Sequence, residues 1–281
     1  MRRKQVRATP PARSTSRSAT DWSDVADWYD QLVGAEGSEY HREVVLPGTL
    51  RLLKPIAGQR VLDVACGQGV LARLLATRGV EVVGVESAPS LVAAASKHDV
   101  SLASSVPKPI YHLGDARQLD FLPPDHFDAA ACVLAIQNIN PMAPVFTGVA
   151  RALRTGARFV VVMMHPCFRS PKETHWEWDE QRQVQYRRVD RYLLPRKSPI
   201  VARPGIDPAT YTWTFHRPIE DYIRVATKAG LLIDALEEWP SHKHSPPGKR
   251  SSAENRARKE IPLFLAMRCV KVGIAVTEPA R

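Results

Sequence analysis

Three acids and two glycines carry the most chemical information in this 281-residue sequence. Asp63 sits inside the β-rich run Arg60-Val-Leu-Asp-Val-Ala65, just ahead of Cys66-Gly-Gln-Gly69, and a helical stretch follows that loop. Such a loop exposes backbone amides and lets a ligand approach without Cβ interference. A carboxylate beneath it repels a pyrophosphate but suits an ammonium or sulfonium group. Glu86 closes the next strand, where a carboxylate can accept hydrogen bonds from two ribose hydroxyls. Asp115, in Gly114-Asp-Ala116 after a third strand, can accept one from an exocyclic adenine amine. One acid per successive strand end describes a pocket for a nucleoside that carries a cation instead of phosphates, laid across the carboxyl edge of a sheet. Any one of these acids could equally be a helix cap or turn residue; three in register with the loop point to a ligand. Gly67-x-Gly69-x-x-Ala72 alone also fits a dinucleotide fingerprint, so a nicotinamide-dependent oxidoreductase stays as a remote alternative.

The elements that must position these residues follow from periodicity. Trp22, Val25, Trp28, Tyr29 and Leu32 recur at helical spacing behind a candidate N-cap, Asp21, and Gly34 stops the run. A second helix is expected from Glu39 to about Leu53. Strands over 60–65, 80–85, 109–113, 127–136 and 157–164 then alternate with helices over 70–77, 89–97 and 145–153. That alternation predicts an open parallel sheet with helices on both faces and right-handed connections. The rhythm breaks after Met164. From Phe168 to Phe215 the chain is polar, basic and aromatic, and it reads as an irregular insertion. A strand at Tyr211–Arg217, a helix from Pro218 to Ala229 and strands at 231–237 and 263–271 close the chain with an antiparallel edge. The expected organisation is a basic, disordered tail (1–20) and one domain (21–281). Within that domain come a helical cap (21–56), a cofactor-binding core (57–166), a substrate or lid insertion (167–215) and the C-terminal part of the sheet (216–281).

The motifs Val-Leu-Asp-Val-Ala-Cys-Gly-Gln-Gly (61–69), Val-Gly-Val-Glu (83–86) and Gly-Asp-Ala (114–116) resemble those of the class I S-adenosylmethionine-dependent methyltransferases. Phe127-Asp128 and Arg151-Ala-Leu-Arg-Thr-Gly156 add a likeness to the methyltransferase type 11 group. The resemblance is specific over 60–164 and looser over 211–271, and Thr155-Gly156-Ala157 departs from the family's usual two glycines. It implies a Rossmann-like α/β fold: a seven-stranded, mostly parallel sheet with helices on both faces, an antiparallel edge strand, an N-terminal helical cap and an inserted lid. It also implies S-adenosyl-L-methionine as cofactor, S-adenosyl-L-homocysteine as product, and no metal. Cofactor contacts are expected at Asp63, Ala65, Gly67, Gly69, Glu86, Asp115 and Ala116, with Ile136 and Gln137 bordering the methyl group. Tyr29 resembles the aromatic that lids the cofactor in related enzymes; it is equally a core-facing aromatic of its helix.

A neutral hydroxyl is a poor nucleophile, so a base helps if oxygen accepts the methyl group. His165 and His216 end late strands and are the candidate bases, each with a plain structural reading beside it. His41, in the cap, is a candidate for substrate contact. Residues 168–216 hold 8 of the chain's 20 aromatics, and Trp176, Trp178 and Trp213 are the candidate acceptor-binding residues. An aromatic lid suits a planar small molecule, whereas a structural reading has the same aromatics anchoring the insertion. The expected activity is O-methylation of an aromatic or hydroxylated metabolite.

The alternative is an RNA or protein methyltransferase guided by the basic tail and insertion. The net charge of +10 invites it, but Arg2, Arg3, Lys4, Arg7, Arg13 and Arg17 supply six of those charges within the tail. Acids are mixed through the insertion, so nucleic acid is not the expected partner. Four cysteines without a Cys-x-x-Cys pair argue against a disulfide scaffold or a structural zinc site. No apolar run reaches the roughly 18–20 residues of a membrane span, and a cytoplasmic location is expected.

Overall fold

Residues 22–203 and 207–273 are described by a computed structural model; the basic tail and Asp21 lie outside them. Its strands are β1 (Arg60–Val64), β2 (Glu81–Glu86), β3 (Ile110–Leu113), β4 (Phe127–Val133), β5 (Leu153–Met164), β6 (Thr174–Asp179), β7 (Val184–Val189), β8 (Arg196–Arg203), β9 (Asp207–His216), β10 (Leu231–Trp239) and β11 (Phe264–Lys271). The helices are α1 (Ala26–Val33), α2 (Leu46–Leu53), α3 (Val70–Ala76), α4 (Pro89–His98), α5 (Ala143–Ala152), α6 (Ile219–Lys228) and α7 (Ser251–Glu260).

Strands that are apolar without alternation are covered on both faces. β1 is buried from Val61 onward, and Ala129 to Cys132 of β4 are buried throughout. On one face Phe146, Phe159, Tyr222 and Ala226 pack α5 and α6 against the sheet. On the other, Leu52, Leu71, Leu75 and Trp239 pack α2 and α3. The seven-stranded sheet runs β10-β11-β5-β4-β1-β2-β3. β1 to β5 pair in parallel, and β11 is antiparallel to both β5 and β10 at that side of the sheet. Strand order reverses between β1 and β4, so their carboxyl ends flank the crevice where such sheets bind ligands. Among the described residues no helix is long and apolar enough to cross a membrane.

Three departures from the expected elements have local causes. The helix expected over 39–53 is interrupted: a π turn at His41–Val45 leads into α2. Pro47 follows that turn; it lacks an N–H and crowds the preceding carbonyl, which favours a widened turn. β4 stops at Val133 instead of Ile136, because Leu134 takes a left-handed backbone (φ 54°) and a 3-10 turn forms at Ile136–Asn138. The insertion is not irregular. It forms two antiparallel hairpins, β6–β7 and β8–β9, outside the main sheet. α7 packs on β7, while β9 touches both the 3-10 turn at Ser23–Val25 and the turn at Ile136–Asn138. The second hairpin therefore spans from the N-terminal cap to the exit of β4.

Candidate functional site

The glycine loop is shaped by contacts that only glycine permits. Gly67 and Gly69 have φ of 56° and 78°, and a Cβ on Gly69 would lie 2.3 Å from the Tyr111 hydroxyl. Ala65 also has a left-handed backbone (φ 55°), so the turn out of β1 is strained at a non-glycine residue, as is common beside ligands. The cap is tied over this loop. Gln68 Nε2 donates to the Gly34 carbonyl (2.6 Å), and Arg73 donates to the carbonyls of Gln68 and Ala35 (both 2.7 Å). His98 of α4 meets Asp30 of α1 at 2.9 Å. The result is Tyr29 standing over Gly67 and meeting Trp22 edge-on, ring centroids 5.4 Å apart.

Beneath Tyr29 lies a trough of about 620 Å³ at the carboxyl edge of the sheet. Tyr29, Ala65, Gly67, Glu86, Asp115 and Ala116, all expected from the sequence to contact a cofactor, line it. Trp22, Ser87, Leu91, Leu134 and Asn138 line it too and went unrecognised; Leu134 is placed by its backbone conformation, which sequence does not display. An adjoining hollow shares Tyr29, Ala65 and Val133 and adds Asp63, Cys66, Gln68 and His41.

The electrostatics are those of a cation site. Asp63 is 2% exposed and its Oδ2 has no hydrogen-bond partner. Burial, then the nearby charge of Glu86, pushes its carboxyl up to about 7. Glu86 is also raised by burial, although its oxygens accept from the amides of Gly67 (3.0 Å) and Ala88 (2.9 Å). The same burial and the two carboxylates raise the Tyr29 hydroxyl and the Cys66 thiol. The charge of Glu86 thus adds to the burial penalty on Asp63, and a positive ligand removes that penalty.

Two of the expected contact residues are engaged within the protein itself. The carboxylate of Asp115 is held by Arg117: Oδ1 accepts from its amide (2.9 Å) and Nε (3.0 Å), and Oδ2 from Nε (3.0 Å) and Nη2 (2.5 Å). Asp115 therefore lines the trough wall with its carboxylate oriented by Arg117. Ile136 is fully buried in the core, because the chain turns after Val133 and sends this side chain inward.

Gln137 instead lines a third hollow, of about 300 Å³. Both candidate bases face it, His165 from β5's end and His216 from β9's end. Their hydrogen bonds separate them. His165 Nδ1 accepts from the Cys167 amide (3.2 Å), which leaves Nε2 as the N–H that donates to Glu238 (2.7 Å). Neither nitrogen is left to take a proton. His216 Nε2 donates to the Tyr192 carbonyl (2.7 Å), which fixes the lone pair on Nδ1. Burial lowers His216, and the charges of Arg196 and Arg217 add to this, so the imidazole is kept neutral. His41 lines the Asp63 hollow, with Ser38 Oγ on its Nδ1 at 2.8 Å.

The three tryptophans of the insertion face cations. Arg169 and Arg187 lie over Trp176 (5.3 and 5.1 Å), Arg250 over Trp178 (4.4 Å) and Lys197 over Trp213 (3.8 Å). None of the three trough and hollow linings includes them. Among the described residues no group of three or more His, Cys, Asp or Glu is placed to hold a metal ion.

Residues 62–161 match the family described as a methyltransferase domain. A 2-phytyl-1,4-naphtoquinone methyltransferase of Synechococcus elongatus is 35% identical over 142 residues, 49% of this chain and 56% of that protein. A ubiquinone biosynthesis O-methyltransferase of Xylella fastidiosa is 33% identical over 107 residues, 38% of this chain and 42% of that protein. The chain thus spans about half the length of these curated relatives. An S-adenosylmethionine-dependent methyltransferase structure from Mesorhizobium loti superposes with a TM-score of 0.63 at 24% identity, covering 84% of this chain and 100% of that one.

Proposed function

We propose that this chain, which carries a class I S-adenosylmethionine-dependent methyltransferase domain, methylates a hydroxyl oxygen on a small metabolite. The observation that carries the reading is the buried Asp63 carboxylate, whose Oδ2 has no hydrogen-bond partner, beside Glu86 beneath a glycine loop, a set that favours a cationic nucleoside. Bound there, S-adenosylmethionine supplies a methyl group on an electrophilic sulfonium. Gly67 and Glu86 would hold its sugar end, Asp63 would balance its charge, and Tyr29 with Trp22 would cover it and exclude water.

The acceptor is assigned to the hollow beside Gln137. There His216 Nδ1 takes the acceptor's hydroxyl proton as the oxygen attacks, while Tyr192, through its carbonyl, holds the tautomer. His165 has a positioning role: with Glu238 and the Cys167 amide it fixes the turn that opens the insertion. A small acceptor fits better than a polymer, because several cations on and beside the insertion's outer strands already face acids. Arg188 pairs with Glu177 and Asp190, Arg196 with Glu173, and Arg250 with Glu180.

Calorimetry tests the cofactor half. S-Adenosylhomocysteine is expected to bind while NADH gives no heat; the reverse result removes this reading. Glu86→Ala should weaken that binding by about 10- to 100-fold, the effect of losing charge-assisted hydrogen bonds.

A further inference from the structure

The hollow beside Gln137 holds more positive charge than its surroundings neutralise. Arg217 lines it, is 8% exposed and has no carboxylate partner among the described residues. Its Nη2 donates to the Ile139 carbonyl (2.8 Å) and Asn140 Oδ1 (2.9 Å), and its Nη1 finds no acceptor. Arg169 lines the same hollow, with Trp176 on one side, and its Nε is buried without a partner. Burial, then repulsion from Arg187, lowers the Arg169 guanidinium to about 10, a direction seen where a cation lacks a counter-ion. No Asp or Glu lines the hollow. The acids nearby have other partners: Glu238 takes the His165 ring, Glu173 pairs with Arg196, and Asp221 with Arg224. A cation withdrawn from water without an anion is costly, and a fold that keeps a buried and a half-buried one around one cavity is organised to receive the anion from outside.

The remaining wall narrows the ligand. Phe215, Met164, Pro166 and Pro171 give an apolar surface, and His216, its lone pair on Nδ1, lines the same space. We infer that the methyl acceptor is a hydroxylated organic acid whose carboxylate is bound by Arg169 and Arg217 while its hydroxyl meets His216. This rests on the methyltransferase reading above and adds the acceptor's charge and polarity to it. A carboxylate is favoured over a phosphate dianion because both imidazoles are held neutral, and Glu238, behind His165, opposes a second negative charge.

The test is a binding measurement that does not depend on turnover. The full chain, saturated with S-adenosylhomocysteine, is titrated calorimetrically with 3- and 4-hydroxybenzoate, 3-hydroxy-2-naphthoate, their methyl esters, and 3-hydroxyphenyl phosphate. At least one carboxylate is expected to bind about tenfold or more tightly than its ester, with affinity falling as salt rises. Arg169→Gln should remove that preference while leaving ester and S-adenosylhomocysteine affinities unchanged. Arg169 lies outside the cofactor trough, so a folded variant is confirmed by its S-adenosylhomocysteine binding. Esters binding as well as acids, no acid binding, or an unchanged preference in Arg169→Gln would each overturn the inference; tighter binding of the phosphate would overturn the carboxylate assignment. If S-adenosylhomocysteine itself fails to bind, the methyltransferase reading falls. The acid-versus-ester comparison on the cofactor-free protein then judges the anion site separately.

Discussion

The carboxyl edge of the sheet and the inserted hairpins treat charge in opposite ways. At the sheet edge, Asp63 and Glu86 are buried together, Asp63 keeps one oxygen without a hydrogen-bond partner, and burial penalises the ionisation of both. In the hairpins, acids and bases alternate across the strand pairs and find each other: Tyr186 donates to Glu177 (2.6 Å), Arg188 reaches Glu177 and Asp190, and the tryptophans lie under guanidinium or ammonium groups. A site that awaits a ligand keeps its charges unsatisfied, whereas a scaffold satisfies them. By that measure the Gln137 hollow, although built partly from the insertion, belongs with the sheet edge.

The largest expected effect separates the two histidines of that hollow. His216→Ala should lower kcat by about 100-fold or more on an accepted substrate, the usual worth of a general base. His165→Ala should lower melting temperature more than kcat, since both its nitrogens serve the fold. Equal kcat losses would erase the distinction. Next comes the loop geometry. Gly69→Ala places a Cβ against the Tyr111 hydroxyl at a left-handed φ, and should destabilise the protein by about 2–3 kcal/mol in denaturant melts.

A smaller effect concerns pH. Asp63 titrates near 7 in the fold but near 3.8 in the unfolded chain, so the fold holds a proton that the unfolded chain has released. Stability of the ligand-free protein should therefore fall as pH rises from about 4 to about 7, and Asp63→Asn should flatten that slope. For the same reason, a cationic ligand should gain affinity as pH rises through 7, and a neutral thioether should not. The smallest effect belongs to the scaffold: Arg250→Ala, which uncovers Trp178, should cost only about 0.5–1 kcal/mol and leave S-adenosylhomocysteine affinity unchanged.

The same contrast explains what could be read in advance. β1, β2, β4 and β5 are continuous apolar runs between glycine turns, and the acids at their ends mark the trough, so the core and Asp63, Gly67 and Glu86 were legible. The hairpins were not, because their strands lack apolar alternation. Thr174-His-Trp-Glu-Trp-Asp179 pairs with Val184-Gln-Tyr-Arg-Arg-Val189 by matching Trp176 to Arg187 and Glu177 to Tyr186, a complementarity that exists only across two segments. The inward turn of Ile136 and the capture of Asp115 by Arg117 depend on backbone angles and side-chain reach, neither of which spacing encodes. The separation of His165 from His216 rests on the partners of individual ring nitrogens.

The position of β11 bears on how the molecule comes into being. It is hydrogen-bonded on both sides, between β5 and β10, and the Leu263 carbonyl just before it receives the His165 amide (2.9 Å). During synthesis, therefore, the strand made last of the seven is an interior one. Until residues 264–271 leave the ribosome, β5 has an open edge, β10 has no place in the sheet and His165 lacks its backbone anchor. The cofactor trough, built from β1 to β4, can be assembled while translation continues. The side of the sheet that carries His165 is the last to be completed, and a nascent chain carries an exposed sheet edge until then.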